Sequence, residues 1–179
     1  QEHAYREAMR KVTERGARLL AANKPALDVI EATIGMMEDD PLFNAGRGAV
    51  FTAQGRNELD AAIMDGKTLK AGAVAAVTRT RHPISLARRV AEASPHVMLV
   101  GVGADEFSQQ QGLEQVEPGW FYTQRRWGAS VGRYPWQGTT RCWCSPPQTC
   151  LRTSTLRSDG QPCRARLRPR PRSCRRRRR

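Results

Sequence analysis

Asn44 is the first residue that asks for a chemical explanation, because of the company it keeps in "DDPLFNAGRGAVF", residues 39–51. Its amide offers both a donor and an acceptor, suited to the mouth of a site. Gly46 and Gly48 follow closely, and glycine lets a backbone bend where other residues cannot. A bent loop can turn several carbonyls toward one point, and hard cations prefer such oxygens. Residues 37–47 are therefore a candidate loop for a monovalent cation. A plainer reading stands beside it: Gly and Asn behind a helix mark a C-cap and a turn, since both tolerate positive φ.

Other reactive side chains have simple structural explanations. His82 precedes Pro83 and His96 follows Pro95, which suits turn residues at element boundaries better than general bases. Asp60 and Asp65 flank an expected hairpin and read as turn residues. Arg79-Thr80-Arg81 reads as a solvated face, and Gly101-Val102-Gly103-Ala104 lacks the third glycine of a dinucleotide-phosphate loop.

The elements that must position Asn44 follow from periodicity. Over residues 3–22, Ala4, Ala8, Met9, Val12, Leu19 and Leu20 recur at helical spacing, and Asn23 and Pro25 stop the helix. Leu27, Ile30, Ile34 and Met37 mark a second helix that ends at Asp39 or Asp40, before Pro41. The two form a hairpin. Ala49–Thr52 and the stretch alternating through Leu59, Ala61 and Ile63 read as strands. After the Asp65-Gly66 turn, Ala71–Val77 reads as a strand covered on both faces. Ile84, Ala87, Val90 and Ala91 define a helix entered through Pro83. Val97–Val102 reads as a buried strand and Gly103–Gln111 as a short helix. Helices and strands in this order imply a layered α/β or α+β domain.

The charge of +13 is confined to one end. Residues 1–127 hold 16 basic and 16 acidic side chains, whereas residues 128–179 hold 14 Arg and one acid, Asp159. All five cysteines, Cys142, Cys144, Cys150, Cys163 and Cys174, also lie in the second part. The cysteine-free first part suits a reducing cytoplasm. No signal-peptide pattern or apolar run long enough for a bilayer is present, so a soluble protein is expected.

The chain resembles a known family in several ordered segments. "PLFNAGRGAVFT", "NELDAAIMDG", "TLKAGAVAAV", "HPISLARRVAEASPHVMLVGVGADEF" and "GLEQVEP" are similar to the α-subunit of plant-type asparaginases and isoaspartyl peptidases, which are N-terminal nucleophile hydrolases. The resemblance covers about residues 5–127. It implies a four-layer αββα sandwich from a precursor that cuts itself into α and β chains, with two αβ units in the mature enzyme. It implies cleavage of L-asparagine or β-aspartyl dipeptides without an organic cofactor. It also implies a structural sodium ion facing the carbonyls of Met37, Glu38, Asp40, Phe43, Ala45 and Arg47, with Asn44 helping to position the nucleophile.

That nucleophile is expected to be a threonine freed at a new N-terminus, its α-amine serving as base. The resemblance implies a Gly-Thr-Val-Gly-Ala-Val-type strand, substrate-gripping Arg and Asp, and a Gly-Thr-Gly oxyanion loop. The nearest trace is Gly138-Thr139-Thr140, where Arg-Cys-Trp-Cys follows in place of small apolar residues. Thr139 has the Gly-Thr pair without the strand context that such a nucleophile requires, so the nucleophile is expected to be absent and the chain as written inactive. The sheet is also expected to lack a strand at its front.

Residues 128–179 invite three readings. Residues 164–179, with Trp136 and Trp143, suit salt-dependent nucleic-acid binding on a non-catalytic scaffold. The cysteines are candidate zinc ligands, although Cys142 and Cys144 are closer than the usual knuckle spacing. The third reading is a disordered tail translated from a shifted frame, because Arg, Pro, Cys, Ser and Trp predominate.

Overall fold

A computed structural model describes residues 2–131. Helix α1, Glu2–Ala21, and helix α2, Ala26–Asp39, form the expected hairpin. Pro25 caps α2, and its carbonyl accepts the Val29 N–H at 3.1 Å. The buried line of α1 is Ala8, Val12 and Gly16, a 3.6-residue period that leaves Met9 and Leu20 outside it. The apolar pattern predicts both in the stripe, yet both are exposed. Ile30 of α2 is likewise exposed, while Leu27 and Ile34 pack against the core.

Strand β1, Leu59–Met64, buries Leu59 and Ile63 and turns Asp60 and Met64 outward. It pairs antiparallel with β2, Ala71–Val77, through a turn in which Asp65 Oδ1 accepts the Lys67 N–H and Oδ2 accepts the Thr68 hydroxyl. Asp65 is thus the turn residue expected. Asp60 is not: it lies within β1, and its carboxylate accepts the Ala76 N–H at 2.9 Å where the register slips. This slip places Ala76 at φ +53. The bulge needs an acceptor for an N–H that the ladder no longer serves.

Helix α3, Pro83–Ala93, lies directly on the sheet. A Cβ at Gly72 of β2 would fall 2.1 Å from the Ala87 carbonyl oxygen, so only glycine permits this approach. Ile84, Leu86, Ala87 and Val90 of α3 meet Leu59, Ile63, Val74 and Val77 in the core, joined by Phe121. Each fully buried large side chain contributes about 1.5–3 kcal/mol. β2 buries Gly72, Val74 and Val77, and its alternate residues are half-buried rather than fully covered.

Strand β3, Met98–Val100, runs parallel to β2 and gives the sheet order β1-β2-β3. It is shorter than the expected Val97–Val102 strand and is not buried: Val97, Met98, Val100 and Val102 are all exposed. Gly101, at φ +58, ends it and opens helix α4, Gly101–Gln110. The Gly101–Ala104 segment is therefore a helix start. The fold is α+β, a small mixed sheet with helices.

Ala49–Thr52 forms no strand. Among the described residues it makes an isolated bridge, Phe51 with Asn57, beside a Thr52 N–H bond to the Arg56 carbonyl at 2.8 Å. The Asn57 side chain takes the Ala49 and Val50 carbonyls at 3.0 and 3.2 Å, replacing the backbone partner a strand would need. A 3-10 turn at Pro118–Phe121 leads into helix α5, Gln124–Val131, which periodicity did not reveal. Among the described residues no helix is long and apolar enough to cross a membrane. Thr139, the five cysteines, Trp136, Trp143 and residues 164–179 lie outside the described residues.

Candidate active site

The loop after α2 winds on itself more tightly than an ordinary helix stop. Gly46 has φ +45, and a Cβ there would lie 2.2 Å from the Glu38 carbonyl oxygen. A Cβ at Gly48 would lie 2.0 Å from the Phe43 carbonyl oxygen and 2.8 Å from that of Pro41. Both glycines are therefore required by close approach of carbonyls, and at Gly46 also by handedness. The Met37, Asp40 and Ala45 carbonyls accept the N–H groups of Asp40, Phe43 and Gly48 at 3.3, 3.2 and 2.9 Å. A carbonyl has two lone pairs, so each keeps one for another partner.

Asn44 stands exposed on this loop, and its Oδ1 accepts the Val50 N–H at 3.0 Å. That bond ties the two ends of the Gly46–Gly48 turn together and leaves the amide nitrogen for another acceptor. The capping role and the site role are compatible in this geometry. Asn44, Ala45 and Gly46 line a cavity of about 190 Å³ together with Glu38, Glu58, Asp60 and Pro83. Among the described residues no cluster of three or more His, Cys, Asp or Glu side chains is arranged to hold a metal. A cation at this loop would rest on carbonyl oxygens, which fits a hard ion.

Glu38 contributes a side chain as well as the carbonyl that the resemblance assigns to the ion. The residue is 3 % exposed. Oε1 accepts the Ile84 N–H at 3.0 Å, so Glu38 caps the N-terminus of α3 from another helix. Oε2 lies 3.2 Å from His82 Nδ1. Burial pushes the Glu38 carboxyl above the usual range, against the pull of the hydrogen bonds from His82 and Ile84. The bond to Glu38 raises His82 in turn, although burial opposes it, and Asp39 Oδ2, 3.7 Å from Nε2, adds to the rise. A signal was available: Glu38 falls four residues after Ile34 and eleven after Leu27, on the same apolar stripe. His82 is confirmed at a boundary, as the residue preceding Pro83 of α3.

Arg81 belongs to this network and is no part of a solvated face. It binds Asp39 at 3.0 Å and Glu114 at 2.8 Å, and its guanidinium stacks on the Trp120 ring at 5.1 Å. Arg47 stacks on the same ring at 5.0 Å. Beside it, Thr80 is buried and donates to Ser108 at 2.7 Å. On α4, the buried Asp105 accepts the N–H groups of Thr78 and Arg79 and the Thr78 hydroxyl.

Residues 1–133 match the Asparaginase_2 family model, described as asparaginase, and the chain belongs to that family. The chain is 50% identical over 127 residues to the isoaspartyl peptidase of Salmonella typhimurium, a stretch covering 71% of this chain and 41% of that protein. With the isoaspartyl peptidase of Escherichia coli it shares 50% identity over 127 residues, 71% of this chain and 40% of the relative. The isoaspartyl peptidase/L-asparaginase of Mus musculus is 42% identical over 120 residues, 67% of this chain and 37% of the relative. The chain thus spans about two fifths of the length of these relatives.

Proposed function

We propose that this chain supplies the Asn44 side of a self-processing threonine hydrolase that cleaves L-asparagine or β-aspartyl dipeptides. The observation that carries the reading is the Asn44 loop, set in 127 residues that are half identical to an isoaspartyl peptidase. In this reading Asn44 directs its free amide nitrogen toward the nucleophile's surroundings while Val50 holds its oxygen. The cavity beside it is the edge of the substrate site. The carbonyls of Met37, Glu38, Asp40, Phe43, Ala45 and Arg47 hold a sodium ion, which supplies fixed positive charge that keeps the loop wound.

The chemistry needs a threonine hydroxyl to attack the amide carbonyl and an amine to take its proton. It also needs donors at the oxyanion. We assign these groups to a β-chain part like that which completes the αββα sandwich, in a dimer of αβ units located in the cytoplasm. Thr139 lacks the small apolar context of such a nucleophile, and the chain by itself is inactive in this reading.

The test is a chimera in which residues 1–127 replace the matched stretch of the Salmonella typhimurium isoaspartyl peptidase. Release of aspartate from a β-aspartyl dipeptide supports the reading. A folded chimera that hydrolyses neither the dipeptide nor L-asparagine contradicts it.

A further inference from the structure

Helix α5 reaches back to the Asn44 loop. Arg126 Nε donates to the Gly48 carbonyl at 2.7 Å, and Arg126 Nη2 donates to the Leu42 carbonyl at 3.3 Å. The Leu42 carbonyl also accepts the Tyr5 hydroxyl of α1 at 2.5 Å, and Arg125 Nη2 donates to that hydroxyl at 2.6 Å. One guanidinium therefore spans the loop from residue 42 to residue 48, with Asn44 between. Leu42 and Gly48 are not among the carbonyls assigned to the ion. The chain bends so sharply at Gly48 that the Pro41–Phe43 segment lies against it, which brings both carbonyls within reach of a single side chain.

The aim of Arg126 is set by packing. The next residue, Trp127, stands edge-on to Phe51 at 5.1 Å and 80°, and Tyr122 meets Phe51 at 5.7 Å. Phe51 is buried and follows the loop directly. The aromatic contacts fix α5 against the exit of the loop while the guanidinium fixes the loop's two limbs. Hydrogen bonds from a charged donor are roughly twice as strong as neutral ones. A planar fork also holds two acceptors in a fixed relation, which an ammonium does not.

We propose that Arg126 is a positioning residue: it braces the loop across Leu42 and Gly48 and thereby sets the place of the Asn44 amide. Its catalytic meaning rests on the hydrolase reading, but the brace itself does not. Without Arg126 the two limbs separate more often, and the Asn44–Val50 bond opens with them.

Amide hydrogen exchange of the full chain tests this directly. In Arg126→Ala the Val50 amide, whose partner is Asn44 Oδ1, is expected to exchange at least about tenfold faster, equivalent to about 1.4 kcal/mol. The Val74 amide in β2 is expected to keep its rate. Arg126→Lys restores part of the protection, since one bond can re-form. Tyr5→Phe, which removes a donor to Leu42 from another helix, gives a smaller acceleration and serves if Arg126→Ala does not fold. Unchanged Val50 exchange in a folded Arg126→Ala chain, or in Tyr5→Phe if the first variant is unfolded, overturns the brace. In the chimera, Arg126→Ala is expected to lower kcat with KM nearly unchanged, and Arg126→Lys to recover part of it. An inert parent chimera counts against the hydrolase reading, and the Val50 exchange still decides the brace.

Discussion

The buried carboxylate of Glu38 joins two elements, lying 3.2 Å from His82 Nδ1 and accepting the Ile84 N–H at 3.0 Å. The same residue offers its backbone carbonyl to the close approach of Gly46. A single glutamate thus links the start of α3 to the winding of the Asn44 loop.

Both titrations make the fold less stable as pH rises. His82 is raised above its ordinary 6.5, so its contribution is complete below pH 6.5 and is lost as pH climbs through the raised value. Glu38, also raised, loses its contribution as pH climbs from its ordinary 4.5 through its own folded value. Urea titrations from pH 6 to 9 are expected to show falling stability in the parent. His82→Gln should flatten that fall and cost about 1–3 kcal/mol at pH 6, because Glu38 loses a partner. Parallel curves for the two proteins would rule out this pair as the cause.

Gly46→Ala and Gly48→Ala place a methyl group against backbone carbonyls that cannot rotate away. Each is expected to destabilise by about 2–4 kcal/mol in chemical denaturation. Gly66→Ala, with nothing within 4 Å of its Cβ, should stay within about 0.5 kcal/mol of the parent. Equal losses at Gly46 and Gly66 would show that the loop is not wound as described.

Asp105 serves three donors at the end of β2. Asp105→Ala leaves two partly buried backbone N–H groups without their acceptor, at a cost of about 1–3 kcal/mol. Asp105→Asn keeps one acceptor and should cost less. Thermal unfolding of the two variants gives the comparison, and a loss under 1 kcal/mol in Asp105→Ala would contradict the anchoring role.

The elements were legible where one face decides their period. Ala71–Val77 has the bounds that its composition implied, and α3 starts at Pro83 as a proline entry predicts. Less could be seen where side chains replace backbone partners. Ala49–Thr52 has strand composition, but Asn57 takes two of its carbonyls. Val97–Val102 is apolar enough for a core, yet only Met98–Val100 pairs, along one edge of β2. Asn44 and its glycines were recognisable as a loop from types and spacing alone. Glu38 was overlooked because a carboxylate on an apolar stripe has meaning only when His82 and Ile84, more than 40 residues later, come to meet it. Helix α5, Gln124–Val131, straddles the change in composition at residue 128, which interrupts its pattern.

The role of Asn44 is read from the steady-state kinetics of Asn44→Ala in the chimera, with a β-aspartyl dipeptide as substrate. A fall in kcat of about a hundredfold is expected, within the range seen when one positioned amide is lost from a site, with KM changed little. A kcat within twofold of the unsubstituted chimera would contradict it and leave Asn44 as a loop cap.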